Sequence, residues 1–200
     1  MKAYKGTITR YWKYQAWTQP ILSANGTIGG TSFACSASNE AVPAWAAFNG
    51  DKTTGDNAWW SNHGATSESN PCWIAWYNPT PLKISQIVIQ NEVHTPKNFK
   101  TGYLQYSDNY IDWTTLQQVN GTNTAAYETI VNVNSSVSAH KYWRLYFVES
   151  FSSSGLAIQT IENYAQQLVA GTPTDYYFTT TETGTFGIKQ NNNYYLFRSV

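Results

Sequence analysis

The chain has 200 residues and a formal net charge of zero, with 12 Lys and Arg against 12 Asp and Glu. This length is sufficient to bury a hydrophobic core, and the balanced charge excludes a nucleic-acid partner, which needs clustered basic residues. Ser, Thr and Asn together supply 59 residues, and the aromatic types supply 32. Because these residues favour strands and turns, the composition predicts an all-β protein.

The first 22 residues differ in character from the rest of the chain. They are basic and rich in Trp and Tyr, and no acidic residue precedes Glu40. They lack the continuous apolar core of a secretory signal, and no apolar run in the chain reaches the ~18 residues of a membrane span. We interpret residues 1–22 as a solvated or interface-bound arm of a protein that is made without a signal peptide.

Short β-rich segments then alternate with turn-rich stretches. Pro79 and Pro81 precede one of these segments and Asn120-Gly121 precedes another, and residues of this kind interrupt regular structure. Short strands separated by turns predict an antiparallel jelly-roll β-sandwich over residues 23–166. The predicted strands are 82–91, 102–107, 127–133, 141–148 and 155–164.

The segment 141–148 shows which face of its strand is buried. Alternation puts Trp143, Leu145 and Phe147 on one side and the residues between them on the other. These three side chains are therefore predicted to lie in the core. Trp113 is predicted to supply a further large apolar surface to it.

The two cysteines, Cys35 and Cys72, have neither metal-site nor CxxC spacing. Their spacing favours free, buried thiols. A disulfide is the alternative, and it requires Cα atoms within ~7 Å of each other.

Residues 167–200 form a separate tail beyond the breakers Gly171 and Pro173. Its sequence predicts two or three strands, with turns at Gly184 and 191–193. A β tail of this size is too small to bury its own aromatic residues. We therefore expect it to pack on the sandwich or on a partner.

Five sequence segments, taken in order, resemble the discoidin family, also called coagulation-factor type C or galactose-binding-like domains. The resemblance implies a galactose-binding-like jelly roll that binds a ligand and catalyses nothing, with Arg144 in a structural role. The segments are AWAAFNGDKTTGDNAWWS (44–61), PCWIAWYNPTPLKISQIVIQN (71–91), LQYSDNYIDWTTL (104–116), YWRLYF (142–147) and GLAIQTIENYA (155–165).

The loop 49–57 is a candidate site for a structural Ca²⁺, because Asn49, Asp51 and Asp56 offer oxygen ligands of the kind that calcium prefers. The resemblance supports this site, since many relatives hold calcium in the corresponding loop. It also implicates Thr160, which stands where the family has Glu, and the nearby Glu162. The alternative is a metal-free, hydrogen-bonded Asx turn.

A ligand rim is predicted in the loops at one end of the sandwich, where aromatic rings could stack on a sugar and amides could bind its hydroxyls. The resemblance places Trp60 in the core and leaves Trp59 at this rim. For each histidine the alternative is a hydrogen-bonded role within its own loop. The predicted ligand-binding residues are Trp59, Asn62, His63, Asn91, Glu92, His94, Asn98 and Phe151.

The sequence contains no nucleophile elbow, metalloprotease motif or P-loop, so we predict that the protein is not an enzyme. Three functions remain open. The first is a module on a phage virion, in the tail or on the capsid, that binds a neutral glycan of a bacterial surface or mucus. The second is a structural virion protein that contacts other virion proteins or itself. The third is a secreted bacterial accessory module. The first two place it on a virion, and all three place it outside the cell.

Overall fold

The structure is a computed structural model that describes residues 2–8, 12–53, 57–61, 64–94, 97–170, 174–180, 185–190 and 193–198. They form two units, Trp17–Ala165 and the combination of Met1–Ala16 with Gln166–Val200. A short 3-10 helix spans Ala44–Phe48. The strands, in chain order, are β1 (Lys2–Ile8), β2 (Trp12–Trp17), β3 (Ala34–Ala37), β4 (Trp59–Ser61), β5 (Cys72–Asn91), β6 (Phe99–Ser107), β7 (Thr114–Asn120), β8 (Glu128–Asn132), β9 (His140–Ser150), β10 (Leu156–Ala170), β11 (Thr174–Thr180), β12 (Thr185–Gln190) and β13 (Asn193–Arg198).

Strand β5 belongs to both layers of the larger unit. Its first part pairs with β3 and β9, and its second part pairs with β8, in each case antiparallel. The register shifts between Tyr77 and Leu82, where Pro79 and Pro81 lack the N–H groups that a continuous ladder needs. One layer is therefore β3-β5-β9-β6-β7, and the other contains β8, β5, β10 and β4. The predicted all-β antiparallel sandwich is confirmed.

The core lies between these layers and is built from large aromatic side chains. Trp59, Trp76, Trp143 and Phe147 are all fully buried. The predicted burial of Trp143, Leu145 and Phe147 is confirmed. The prediction for Trp113 is wrong, because its side chain is half-buried on the outer surface, where its ring contacts Arg144 instead of the core.

The cysteines are both free and buried, as predicted. Cys35 lies on β3 with its Sγ 3.7 Å from Asn25 Oδ1, and the Ser38 hydroxyl donates to Cys72 Sγ at 3.5 Å. Burial raises the pKa of both thiols above the usual range. Both cysteines therefore behave as small apolar core residues.

The smaller unit is also built from antiparallel strands. β1 pairs with β11 along its whole length, from Lys2 opposite Thr180 to Ile8 opposite Thr174. β12 and β13 form a hairpin, and Tyr194 of β13 pairs with Trp12 of β2. The described residues beyond Ala170 contain three strands, where the sequence predicts two or three. No helix in the described ranges is long and apolar enough to span a membrane.

Candidate functional site

The loops that follow β4, β5 and β9 meet at one end of the larger unit. The Phe151 N–H donates to Asn98 O at 3.0 Å, and this bond joins the loop after β9 to the loop after β5. The Thr66 N–H donates to Ser150 Oγ at 3.2 Å, and this bond joins the loop after β4 to the end of β9. We call the surface formed by these three loops the loop rim. The sequence predicts that they converge, and they do.

Glycine at position 155 allows this close approach. Gly155 has a φ of +124°, and a Cβ there would lie 2.2 Å from Ser61 O. The next residue, Leu156, donates its N–H to Ser61 Oγ at 3.0 Å, and the Ala157 N–H donates to Lys97 O at 2.7 Å. A side chain at position 155 would therefore separate loops that these hydrogen bonds hold together.

Two predicted ligand residues expose their side chains at the rim. Phe151 is 41% exposed, and His94 is also exposed. Asn62 and His63, which the sequence also predicts to contact a ligand, lie outside the described residues. An exposed aromatic ring can stack on an apolar sugar face, and an exposed imidazole can bind sugar hydroxyl groups.

The roles predicted for Trp59 and Trp60 are reversed. In β4 the alternation of the strand turns Trp59 and Ser61 inward and Trp60 outward. Trp59 is fully buried, and its Nε1 donates to Asn39 O at 3.2 Å, so it cannot contact a ligand. Trp60 is half-buried, with Lys97 Nζ 4.2 Å from its ring centroid. Neither the family pattern nor the alternation of so short a strand identifies which of the two tryptophans faces inward.

The polar residues Asn91, Glu92 and Asn98 are also wrongly predicted to face a ligand, because all three are fully buried. Asn91 Nδ2 donates to Thr124 O at 2.8 Å, and Asn98 Nδ2 approaches the same oxygen at 3.5 Å. Glu92 Oε1 accepts the His94 N–H at 2.8 Å. These side chains satisfy backbone groups of the loops and so fix the shape of the rim from beneath.

The predicted calcium loop is closed by its own hydrogen bonds. Asn49 Oδ1 accepts the Asp51 N–H at 2.7 Å. Asp51 Oδ1 accepts the Thr53 N–H at 2.8 Å, and Asp51 Oδ2 accepts Asn57 Nδ2 at 2.9 Å. Asp56 lies outside the described residues. This arrangement is the Asx turn that the sequence offers as the alternative.

The lysine of this loop, Lys52, lies near Glu162, the carboxylate that the sequence predicts as a calcium ligand. Lys52 Nζ is 2.9 Å from Glu162 Oε1 and 3.0 Å from Glu128 Oε1. The hydrogen bond that Lys52 donates to Glu162, together with the one it donates to Glu128, raises the pKa of Lys52 against the opposing effect of burial. An ammonium group therefore already neutralises the carboxylates around the loop.

Two backbone oxygens of the loop also accept hydrogen bonds from protein side chains. Gln159 Nε2 donates to Asp51 O at 2.9 Å, and Gln90 Nε2 donates to Lys52 O at 3.3 Å. Thr160 is buried with its hydroxyl 3.5 Å from Gln90 Oε1. Within the described ranges, no group of three or more His, Cys, Asp or Glu residues is arranged to hold a metal. In the described part of the loop, residues 49–53 and 57, these contacts form an Asx turn, and the binding of calcium stays a prediction.

A Ser–His–Asp chain occurs away from the rim. His140 Nε2 lies 3.0 Å from Ser138 Oγ, and Nδ1 lies 3.0 Å from Asp108 Oδ2. The imidazole stacks on the Tyr106 ring with centroids 3.8 Å apart. Hydrolysis by such a chain also requires donors aimed at a developing oxyanion, whereas these contacts fix the start of β9 against the turn after β6. We assign this Ser–His–Asp triad a structural role.

Three solved structures show the same fold. The family 32 carbohydrate-binding module of Clostridium perfringens NanJ, solved with galactose, is 18% identical over 66% of this chain and 93% of that one, with a TM-score of 0.54. A second C. perfringens family 32 module, solved with GalNAc-β-1,3-galactose, is 14% identical over 66% of this chain and 95% of that one, with a TM-score of 0.52. An F5/8 type C domain from Bacteroides fragilis is 14% identical over 77% of this chain and 97% of that one, with a TM-score of 0.56.

No curated protein matches the chain. The model of the F5/8 type C domain family matches residues 31–162. These residues run from just before β3 into β10, and they include the core, the calcium-loop position and the loop rim. The chain therefore belongs to the F5/8 type C domain family.

Proposed function

We propose that the larger unit is a non-catalytic carbohydrate-binding module that binds a neutral glycan at the loop rim. The observation that carries this proposal is the convergence of the three loops around an exposed aromatic side chain, Phe151. Loops held at one end of a rigid sandwich are where such scaffolds place binding residues. The galactose and GalNAc-β-1,3-galactose bound by two structural neighbours support the same class of ligand.

The chemistry of the rim suits a terminal neutral sugar. Phe151 offers a flat apolar surface, His94 offers ring nitrogens, and Lys97, held over Trp60, offers an ammonium donor nearby. Few contacts at an open surface give affinities of about millimolar to micromolar, because sugar hydroxyls are already well solvated. Several copies displayed together would bind more strongly through avidity.

A glycan array followed by titration with galactose tests the proposal. Phe151→Ala should remove the binding while the melting temperature stays unchanged, because the ring is exposed. Ile111→Ala is the matched control, since Ile111 is also an exposed apolar side chain but lies beyond the end of β6 that is remote from the rim. Silence of the wild-type protein on a broad array would overturn the proposal, as would equal loss in both variants.

We further propose that the module is carried on a phage virion. The support for this is the likeness of its Trp- and Tyr-rich arm to the openings of discoidin-like phage structural proteins. Mass spectrometry of purified particles should then find the chain in stoichiometric amounts. Its recovery only from the culture supernatant, free of particles, would favour the secreted accessory module instead. Particle association without glycan binding would favour a purely structural role.

A further inference from the structure

One layer of the sandwich carries aromatic side chains on the face that points away from the core. On β9, Tyr146 lies opposite Trp73 of β5 and Tyr103 of β6. Because the alternate residues of β9 are fully buried, these side chains project outward. Each of them is half-buried. We call this surface the outer aromatic face, and its members are Trp73, Tyr103, Trp113, Tyr142, Arg144 and Tyr146.

Two rings of this face, those of Trp113 and Tyr146, are held by a neighbouring guanidinium. The Arg144 guanidinium lies 4.2 Å from the centroid of Trp113 and 4.9 Å from that of Tyr146. Arg144 Nε also donates to Gln105 Oε1 at 2.6 Å. A ligand that stacks on these rings therefore does not have to order them, which removes much of the entropic cost of binding.

The face continues into a cleft. Tyr103 belongs to both, and Val148 extends the outward-facing run of β9 into it. The cleft has a volume of about 330 Å³, at the lower end of the range of small-molecule sites. Its walls are formed by the outer face and by the loop after β4. The lining residues are Thr66, Ser67, Glu68, Thr101, Tyr103, Val148 and Glu149.

A buried hydroxyl in the wall of this cleft lacks a partner. Thr66 is 4% exposed, and its Oγ1 makes no hydrogen bond within the described part of the chain. Buried hydroxyls are normally hydrogen-bonded in native proteins. The missing partner therefore indicates that a ligand or an ordered water bonds to this oxygen. Glu149 lies nearby, held by Lys100 Nζ at 2.5 Å and by the Thr101 hydroxyl at 3.1 Å. The cleft thus pairs a free hydroxyl with a fixed carboxylate.

These features favour a carbohydrate over a protein partner. Along β9 the outward positions place the guanidinium of Arg144 between the rings of Tyr142 and Tyr146. A sugar needs flat apolar surfaces and hydrogen-bonding groups side by side in this way. From Tyr142 to Val148 the face extends for about 20 Å at the rise of a β-strand. That length exceeds a single sugar and suits an extended chain with flat, equatorially linked units.

We propose that the outer aromatic face and its cleft form a second glycan-binding site, which takes an extended β-1,4-linked oligosaccharide. One sugar would occupy the cleft against Tyr103, with its hydroxyls on Thr66 and Glu149. The following sugars would stack along the rings of β5 and β9. This site shares with the loop rim only the loop after β4, which supplies Thr66, Ser67 and Glu68. Its aromatic side chains are different, and it does not depend on the rim binding a sugar.

Calorimetric titration of the full chain with the hexaoses and the disaccharides of β-1,4-linked glucose and N-acetylglucosamine tests this proposal. We expect one of the hexaoses to bind about tenfold more tightly than its disaccharide, because further stacking contacts form along the face. Tyr103→Ala and Trp73→Ala should each weaken hexaose binding by about tenfold. Tyr103→Phe, which keeps the ring, should bind within about twofold of the wild type.

Two further variants separate this site from other roles. Thr66→Val removes the unpartnered hydroxyl without changing the shape of the side chain, so it should weaken hexaose binding without lowering the melting temperature. Phe151→Ala, which alters only the loop rim, should leave hexaose binding intact. Equal binding of hexaose and disaccharide, absence of binding to both sugars, or loss of hexaose binding in Phe151→Ala would overturn the proposal. So would concentration-dependent self-association that Tyr103→Ala abolishes, since the face would then be a protein interface.

Discussion

Arg144 and Trp113 form a stacked pair on the outside of the sandwich, with the guanidinium 4.2 Å from the centre of the indole. Trp113 enters this contact from the turn after β6, so its ring covers the outer side of the sheet and not the core. Burial lowers the pKa of Arg144, an effect that the nearby Tyr146 and Tyr110 oppose. The pair therefore attaches the turn to β9.

Two tryptophan variants should differ in stability because of this placement. Trp143 is fully buried, so Trp143→Ala leaves a core cavity and should reduce the free energy of unfolding by about 3–5 kcal/mol. Trp113→Ala loses mainly the stacking on Arg144, for which we expect about 1 kcal/mol. Denaturant unfolding of both variants measures the difference. Losses of equal size would contradict the outer position of Trp113.

The loop around Lys52 should make the fold insensitive to calcium. Asn49 Oδ1 and both carboxylate oxygens of Asp51 already accept protein hydrogen bonds, and Lys52 bridges Glu128 and Glu162. We expect thermal midpoints to agree in EDTA and in millimolar CaCl₂, because an ion that binds the native state would raise the midpoint. Lys52→Met should lower stability by at most about 1 kcal/mol, since all three side chains are partly exposed and screened by solvent.

Lys83→Met is the matched control for the loss of one lysine charge. A midpoint that rises with calcium would show instead that the loop binds the ion that the sequence predicts. A calcium response that appears only in Lys52→Met would indicate that the ammonium group takes the place of the cation.

The buried thiols should make the fold sensitive to alkaline pH. Burial raises the pKa of Cys35 and Cys72, so the folded chain keeps their protons at a pH where the unfolded chain releases them. The stability that this difference contributes is fully present below the ordinary thiol pKa of about 8.5 and decreases as the pH rises above it. The double variant Cys35→Ser/Cys72→Ser should therefore lose less of its free energy of unfolding than the wild type between about pH 8.5 and 10.

A thiol reagent gives a second measure of the same burial. At pH 8 it should leave the native protein unmodified and should label both cysteines once the chain is unfolded in denaturant. Rapid labelling of the native state would contradict the buried placement. Absence of labelling after unfolding without reductant would instead show a disulfide.

The fold can be predicted from the sequence because its strongest patterns are local. Strict alternation places Trp143, Leu145 and Phe147 in the core correctly. Trp59 and Trp60 are predicted in the wrong order, because neighbouring residues of equal size can satisfy either register of a three-residue strand. Asn91 and Asn98 are predicted at the surface because amides are common in loops. Whether an amide faces solvent or a loop carbonyl depends on contacts with distant residues, such as Thr124.

Self-association stays a prediction from the sequence, and it concerns the arm and the tail. Their aromatic residues, in segments too small for a separate core, call for burial elsewhere. We expect residues 1–22 or 167–200 to make a contact that buries at least about 1,000 Å² in an oligomer or particle. Light scattering of the full chain should then report more than one copy. A monomer at every concentration tested, with both segments protected from protease, would contradict this expectation.

Gly155 should prove essential both to stability and to the loop rim. Its φ of +124° is a conformation that other residues rarely adopt, and a Cβ there would lie 2.2 Å from the backbone oxygen of Ser61. Gly155→Ala should therefore reduce the free energy of unfolding by about 2–4 kcal/mol. It should also weaken galactose binding, because the loop that carries Phe151 would move away from β4.

Gly29→Ala is the matched control, since Gly29 also has a positive φ, of +81°, but a Cβ there would meet nothing within 4 Å. Its loss should be about 1 kcal/mol, from backbone strain alone, and sugar binding should be unchanged. Unfolding curves and galactose titrations of the two variants separate strain from steric contact. If Gly155→Ala is no less stable than Gly29→Ala, the loop does not press against Ser61. If Gly155→Ala is less stable than Gly29→Ala but binds galactose normally, the position of Phe151 does not depend on the close approach of Gly155 to Ser61.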